Sequence, residues 1–566
     1  MTSIPGRLRA ADRHTQIFVA LCALVVPILL VAGHGVTFIA DEWSFIYGRQ
    51  GWDVTALMRP HNEHWSLVPV LIYKVLLATV GLRTYVPYQL VLLALHLATA
   101  AALFQLLRRE AGDLIALLGA TLFLVLGYGA ENLLWPAEIG WSSAMAAGGW
   151  ALVLCLREVR RADIGAAVLL VIAVASSGVG LFFVVVVTAA TLLTTHDRRR
   201  LWILLPAVVS YCLWYLAFGQ GAIGGLLDPA RLSGVSEYVT LGVGNAFGRT
   251  TGWGPEPGVI LAVLLIVATI WRALGDRPIL FGAAVGLIGL LTQFALTALS
   301  RAQLGADQSA SPRYVYTGAF FVLLVLGSWL ATRVRTPVPR RPAVVLGALF
   351  AVAVASNLYG LTVVRSFLLN VSNDTRAAIQ LITAYGGSAA LPSNAGWMSV
   401  PTHDELAQLT ASFGSLARDS VWPAAEPSAA TLDSVLLDLV GGAIVVSDAQ
   451  QTGQISPPDI GALVDATVRV ESGCAILAPS GAQPSATASV SSGSSLVISS
   501  ANGGSAGVSV SLYGPPVDKG MRAINMQPST PRRVSVPNIG AGATWLVRFT
   551  LPVTGETRLC LDSQER

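Results

Sequence analysis

Two acids stand side by side in "FIADEWSFIYGRQGW". They are Asp41 and Glu42, a few residues beyond an apolar run that ends near residue 33. Trp43, Phe45 and Tyr47 follow at once. Aromatic rings settle at a membrane interface because they are apolar with a wet tip. A carboxylate beside hydrocarbon is costly and calls for a reason. One reason is proton transfer: low dielectric and a like-charged neighbour raise a carboxylate's pKa and make it a better base for a hydroxyl. Another is local structure, since an acidic pair at a helix exit also caps a helix or sits solvated. Further on, "RPHNEHW" supplies Arg59, His61, Glu63 and His64. Two histidines and a carboxylate form a known ligand set for a divalent metal ion; the same groups also hydrogen-bond to one another or to water. "SPRYVY" adds Arg313 and Tyr314 ahead of a late apolar run. Arginine suits bidentate phosphate contact, and at a helix end it also anchors at headgroups. Glu131 and Glu138 in "AENLLWPAEIGW", Glu237 and Arg249 are weaker candidates for lining a cavity.

The elements that hold these residues are mostly apolar. Hydrophobic residues make up 54% and charged residues 12% of the 566, and mean hydropathy is +0.63. Soluble domains carry roughly twice that charged fraction. The fold class is therefore a polytopic α-helical membrane protein. Apolar runs lie at 17–33, 87–107, 114–130, 140–156, 164–176, 178–195, 201–218, 258–271, 278–299, 314–331 and 342–364, with "ASSGVG" breaking a short helical pair in 164–195. The basic start and first run read as an uncleaved helix rather than a signal peptide. Basic clusters before residue 14, at Arg108–Arg109, and within 157–161, 196–200, 272–277 and 333–341 fall between alternate runs. The positive-inside rule makes that side cytoplasmic. The expectation is about eleven spans in a plasma (inner) membrane, multi-pass, with the N-terminus cytoplasmic. Residues 34–86, 131–139, 219–257, 300–313 and the tail are then extracytoplasmic. "SLVPVLIYKVLLATVG" (66–81) carries Lys74 and would reverse every later basic loop if it crossed, so it reads as a helix lying in the outer interface plane.

The tail changes character. "SNDTRAAIQLITAYG" and "HDELAQLTASFGSLA" read as helices, and "ATVRVES", "SSLVISS", "GVSVSLYG" and "TWLVRFTL" alternate as strands. The organisation expected is a membrane domain over 1–365, a mainly helical connection over 366–465 and a β-sandwich-like domain over 466–566. Of five cysteines, Cys22, Cys155 and Cys212 lie in apolar runs as small core residues. Cys474 and Cys560 bracket the β-rich region and are expected to form a disulfide in an oxidising compartment; the alternative is burial in strands.

No P-loop or HExxH occurs, so the substrate is expected from the membrane or the extracytoplasmic space. The arrangement resembles the GT-C superfamily of integral-membrane glycosyltransferases, which use polyprenyl-phosphate-linked sugars. "ADEW" occupies the place of that family's acidic motif in the first outer loop. "RPHNEHWSLVPVLIYKVL" occupies that of its basic-Pro segment and interface helix, and "SPRYVY" that of an Arg-Tyr element before a late span. The likeness covers roughly residues 15–365. Here His61–His64 intervene where the family has a proline pair and a tyrosine-rich stretch. The tail is similar in placement and β character to those of actinobacterial cell-wall transferases. The resemblance implies a hexosyl- or pentosyltransferase in cell wall biogenesis. It would move a sugar from a polyprenyl-phosphate donor to an envelope glycan, lipid or protein, with inversion. Asp41 would be the base, Glu42 would orient it or the acceptor, and Arg59 and Arg313 would meet the phosphate, with His61, Glu63, His64 and Tyr314 around the substrate. Membrane lipids are the other expected partners, a nucleic acid is not one, and no cofactor beyond a possible divalent metal ion is called for. The competing readings are a transporter or lipid-linked-sugar flippase, and a non-catalytic scaffold that binds polysaccharide through the tail.

Overall fold

The computed structural model describes residues 12–194, 197–222, 234–275, 278–333, 340–388, 391, 400–416, 426–440, 444–449, 454–515, 521–540 and 542–563. The chain forms two compact units. One takes in the chain up to Thr37 together with Ser44–Leu369; the other takes in Phe38–Trp43, Asn370–Gly414 and Ala424–Arg566.

The first unit is helical. Its elements are α1 (Arg13–Ala32), α2 (Asp41–Ile46, shared with the second unit), α3 (Val54–Met58), α4 (Leu67–Thr79), α5 (Val86–Ala111), α6 (Asp113–Leu124), α7 (Glu131–Leu134), α8 (Ile139–Cys155), α9 (Arg160–Val174) and α10 (Val179–Thr194). There follow α11 (Leu205–Trp214), flanked by a 3₁₀ turn and a π turn, then α12 (Val235–Thr251), α13 (Pro255–Leu274), α14 (Phe281–Arg301), α15 (Pro312–Ala331) and α16 (Arg340–Tyr385). Among the described residues, seven helices are long and apolar enough to cross a membrane. On α13 the exposed face is Ile260, Val263, Leu264, Val267, Ile270 and Trp271. Such a face is stable against lipid and costly in water, so this unit is a membrane-embedded bundle. At its centre α15 is buried along most of its length, with Phe320 and Phe321 packed on Phe183 of α10, and Tyr316 and Phe320 on Phe123 of α6. Towards the other end of α15 from Arg313 lies an apolar cavity of about 230 Å³, lined by Leu107, Ile115, Leu326, Leu330, Leu346 and Phe350 among others.

Three expectations change. The runs at 114–130, 140–156, 164–176 and 178–195 form α6, α8, α9 and α10, of 12, 17, 15 and 16 residues. All are shorter than the ~20 residues of an upright span, so helix length alone does not yield eleven. The segment 219–257, read as a loop, contains the 17-residue α12. The run at 342–364 and the helix expected from 372 are one helix, α16, of 46 residues. It contains neither Gly nor Pro from 361 to 385, so polarity rises there without breaking helicity. At 1.5 Å per residue it is about 69 Å long, more than twice the hydrocarbon thickness.

Among the described residues, the second unit contains the end of α16, α17 (His403–Phe413), α18 (Ala429–Leu439) and twelve strands. Thr402 and Glu405 close a capping box on α17. The strands begin at Val445, ahead of the boundary expected at 466. The first and third of these strands, four and six residues long, are exposed over much of their length, so they lack a strong alternating pattern. One sheet runs β1 (Val445–Asp448), β10 (Arg532–Ser535), β7 (Ser495–Ser500), β12 (Thr557–Ser563), β5 (Cys474–Pro479) and β4 (Ala466–Glu471), with β2 (Gln454–Ser456) on β12; the other runs β3 (Asp459–Val464), β6 (Ser485–Ser491), β11 (Thr544–Thr550), β8 (Gly504–Ser511) and β9 (Arg522–Met526). Every pairing is antiparallel. In β11 (Thr544–Thr550) Trp545, Val547 and Phe549 alternate inward opposite Val490, Ala488 and Ala486, which is the period-two burial of a sandwich core. Cys474 in β5 (Cys474–Pro479) and Cys560 in β12 (Thr557–Ser563) are bonded, with Cα atoms 4.5 Å apart.

Candidate active site

The acidic pair divides its work. Glu42 is 0% exposed, and its carboxylate accepts the Ile39 N–H at 3.0 Å. Glu42 N donates to Ile39 O and Trp43 N to Ala40 O, and Ala40 takes a positive φ of 46°. Glu42 therefore fixes the turn into α2, reaching back three residues as a capping glutamate does. Asp41 opens the helix and is only partly buried.

The "HNEH" segment is a tight turn. His61 N donates to His64 O and His64 N to His61 O, with Asn62 in the left-handed region at φ 51°. Asn tolerates that conformation better than most residues. The turn sends its side chains apart. The His61 ring pairs with Ser44 Oγ through Nδ1 at 3.0 Å and lies beside Phe45. Glu63 is gripped by Arg301, with Nη2 2.8 Å from both carboxylate oxygens. His64 Nε2 lies 3.7 Å from Glu63 Oε1, and its ring meets the edge of Trp141. Among the described residues no three His, Cys, Asp or Glu side chains converge as a metal site. The divalent-ion reading of His61, Glu63 and His64 therefore finds no support in their geometry.

Arg313 begins α15, and one short stretch of chain holds it. Its Nε donates to Glu131 at 3.1 Å, its Nη1 lies 3.2 Å from Glu138, and its plane lies over Trp135. Both carboxylates are buried. Tyr314, the next residue, is buried against Trp141, and its carbonyl accepts from Gln293. Trp141 in turn donates to Thr317 at 2.7 Å. Glu63, His64, Glu131, Glu138, Arg301, Arg313 and Tyr314 thus form one neighbourhood where helices begin, end or turn. Within it His64 is pushed down to about 4. Burial is the main cause; Glu63 opposes it, while Arg301, His61 and Arg313 reinforce it. Burial works upward on Glu63, yet His64 and Arg301 outweigh it and hold that carboxyl below its ordinary value. His64 is therefore neutral at neutral pH, able to accept or donate a hydrogen bond.

Position also matters at Gly178, in the break between α9 and α10. A Cβ there would sit 2.8 Å from His64 Nδ1. The "ASSG" turn is thus the wall against which the imidazole rests, and only glycine leaves the room.

Arg59 is not part of this cluster's contacts. Its Nη2 donates to Gly48 O at 2.5 Å. Of the weaker candidates, Glu131 and Glu138 enter the site as the carboxylates on Arg313. Arg249 bonds Asn245 and lies over Tyr128, and Glu237 is exposed. Sequence reasoning missed Arg301. Its only signal was a cation closing an apolar run, in a loop expected on the same side as Glu63.

The solved structures that resemble this chain include the following two. One is ArnT from Cupriavidus metallidurans bound to undecaprenyl phosphate, at 16% identity and a TM-score of 0.39, covering 66% of this chain and 81% of that one. Another is the arabinosyltransferase EmbB from Mycobacterium smegmatis, at 13% identity and a TM-score of 0.29, covering 99% of this chain and 65% of that one. No family model matches the chain, and no curated protein does. Superpositions this loose assign it no activity.

Proposed function

We propose that this chain transfers a sugar from a polyprenyl-phosphate-linked donor to a cell-envelope acceptor on the extracytoplasmic face of the membrane. The observation that carries the reading is the gathering of Glu63, His64, Glu131, Glu138, Arg301 and Arg313 at helix ends of an otherwise apolar bundle. Such a placement suits a reaction on a lipid headgroup. A transporter would instead concentrate polar groups near the bilayer midplane. In the proposed step Asp41 takes the proton of the acceptor hydroxyl as its oxygen attacks the anomeric carbon. The bond from that carbon to the phosphate oxygen breaks, and polyprenyl phosphate leaves with the electron pair. A single displacement inverts the centre. Glu42 holds the turn that presents Asp41. Arginine disperses the charge of the leaving phosphate, with Arg59 and Arg313 as the candidates. No metal is assigned a step.

The test is a panel of synthetic polyprenyl-phosphate sugars offered to the purified full chain, joined to mass analysis of lipid-linked sugars and envelope glycans in a deletion strain. The reading expects one donor to be turned over and its sugar to be missing from the deletion strain's glycans. Folded protein that turns over none, with unchanged glycans, contradicts it.

A further inference from the structure

An arginine at the end of an apolar run calls for a reason. Arg365 stands there on α16, between Val363 and Phe367, which are exposed as lipid-facing side chains are. Arg365 turns the other way. Its Nε donates to Ala32 O, in the last residue of α1, at 2.8 Å. Gln89 of α5, 5% exposed, donates through Nε2 to the next carbonyl, Gly33 O, at 3.1 Å. That oxygen also accepts Val36 N–H at 3.0 Å, which closes the first turn of the chain that leads on to Asp41. The end of a helix leaves its last carbonyls unpaired and carries partial negative charge, and a cation and an amide donor both satisfy it.

The packing around these two donors is close. A Cβ on Gly33 would stand 2.5 Å from Gln89 Nε2. Two residues on, Gly35 takes a φ of 90°. A Cβ there would meet Leu369 Cδ2, one turn beyond Arg365 on α16, at 2.9 Å. The far end of the stretch is held as well. Ser44 Oγ pairs with His61 Nδ1 at 3.0 Å, and the Phe45 ring lies beside those of His61 and Tyr73. Asp41 therefore belongs to a stretch of chain anchored at Ala32–Gly33 by α5 and α16, and at Ser44–Phe45 by the turn before α4 and by α4 itself.

We infer that Arg365 and Gln89 are positioning residues for Asp41. They clamp the C-terminal carbonyls of α1 and so set where the chain carrying the base leaves that helix. Their effect on rate rests on the transfer reading; the clamp itself does not. Neither side chain touches the reacting atoms. A misplacement of about 1 Å that arises away from the chemistry costs up to about 10²-fold in rate, so a base needs its backbone fixed as well as its own rotamer.

Two readouts on the purified full chain in detergent separate the clamp from its consequence. Hydrogen exchange over residues 34–43 reads the clamp without turnover. Arg365→Met should speed exchange there about ten-fold, the low end for a hydrogen bond from a charged donor, and Gln89→Met about three-fold. Arg365→Lys keeps a cation at the helix end and should recover part of the protection. Gly33→Ala, whose Cβ displaces the Gln89 amide, keeps the test usable if Arg365→Met does not fold. The matched control is Arg109→Met. Arg109 Nη1 donates to Leu156 O at the end of α8, so its loss should leave 34–43 unchanged. Unchanged exchange at 34–43 in the folded Arg365 and Gln89 variants, or equal acceleration by Arg109→Met, would overturn the clamp.

Transfer from the cognate donor reads the consequence. Arg365→Met should lower kcat about ten-fold per folded molecule, with KM for the donor within about two-fold. In an Asp41→Asn background the same change should cost nothing further, because the placement of a base matters only while the base is present. A further ten-fold loss in that background, or a change in KM alone, would overturn the assignment to Asp41. Faster exchange at 34–43 in Arg365→Met, beside a folded wild type that turns over no donor, supports the clamp and condemns the transfer reading alone.

Discussion

Arg313 and Arg49 are both arginines near helix ends of the same unit, yet their surroundings are opposite. Arg313 is shared by two buried carboxylates and lies over Trp135. Arg49 is more buried, has Ala56 O as its hydrogen-bond acceptor, and has another arginine beside it. The first is an ion cluster in which buried carboxylates face the arginine. The second is a buried cation on a backbone carbonyl. Removing the same residue type should therefore have different consequences in the two places.

The largest effect on stability is expected at Arg313. Arg313→Ala leaves Glu131 and Glu138 buried together without their cation. Breaking a buried pair from one side costs about 3 kcal/mol, at the low end because Arg313 is partly exposed. Adding Glu131→Gln to Arg313→Ala should restore part of the loss. Thermal unfolding in detergent measures both, and an unchanged midpoint for Arg313→Ala would show that the cluster carries no stability. The second unit supplies a yardstick outside the comparison. The Cys474–Cys560 bond closes a loop of 86 residues, and its removal should cost about 2–4 kcal/mol. Thiol titration of the denatured, unreduced chain should find the three free cysteines Cys22, Cys155 and Cys212; five would contradict the pairing.

Acid should loosen the carboxylate-rich region. His64 has a folded pKa near 4, below its ordinary 6.5, so the unfolded chain binds more protons between those values. Glu63, also lowered, acts in the same direction below its ordinary 4.5. Stability should be full above about pH 6.5 and fall as pH drops towards 4. The unfolding midpoint of His64→Gln should depend less on pH across that window. The smallest effect belongs to Arg49. Arg49→Met loses one hydrogen bond and removes an uncompensated buried charge, so its stability should stay within about 1 kcal/mol of wild type. A loss as large as that of Arg313→Ala would erase the distinction between the two regions.

Some of this was legible in the residues. The adjacent acids, the apolar runs and the alternation in "TWLVRFTL" are local patterns, and local patterns survive in sequence. Arg301 is different, because its partner Glu63 lies 238 positions away and nothing near either residue marks the other. The segment that forms α12 reads as a loop because Gly242, Gly244 and Gly248 lower helix propensity. Its helicity comes from close packing on α13, where a Cβ on Gly258 would stand 2.1 Å from Gly244 O. Lys74 in the sequence is a reason for α4 not to cross. Its work of holding the Arg49–Gly51 carbonyls emerges only once the loop is folded over it. Glu42 reads in the sequence as the residue that orients Asp41 or the acceptor; its bond to Ile39 N–H emerges only in the folded turn.

The central claim is that Asp41 is the base of a sugar transfer. The most direct measurement is the transfer rate of the purified full chain with its cognate polyprenyl-phosphate donor, for wild type and for Asp41→Asn, with unfolding midpoints recorded in parallel. Asp41→Asn keeps the side-chain shape and removes the proton acceptor. The account predicts a rate lower by about 10²–10⁴-fold at an unchanged midpoint. Near-wild-type transfer by folded Asp41→Asn would contradict it.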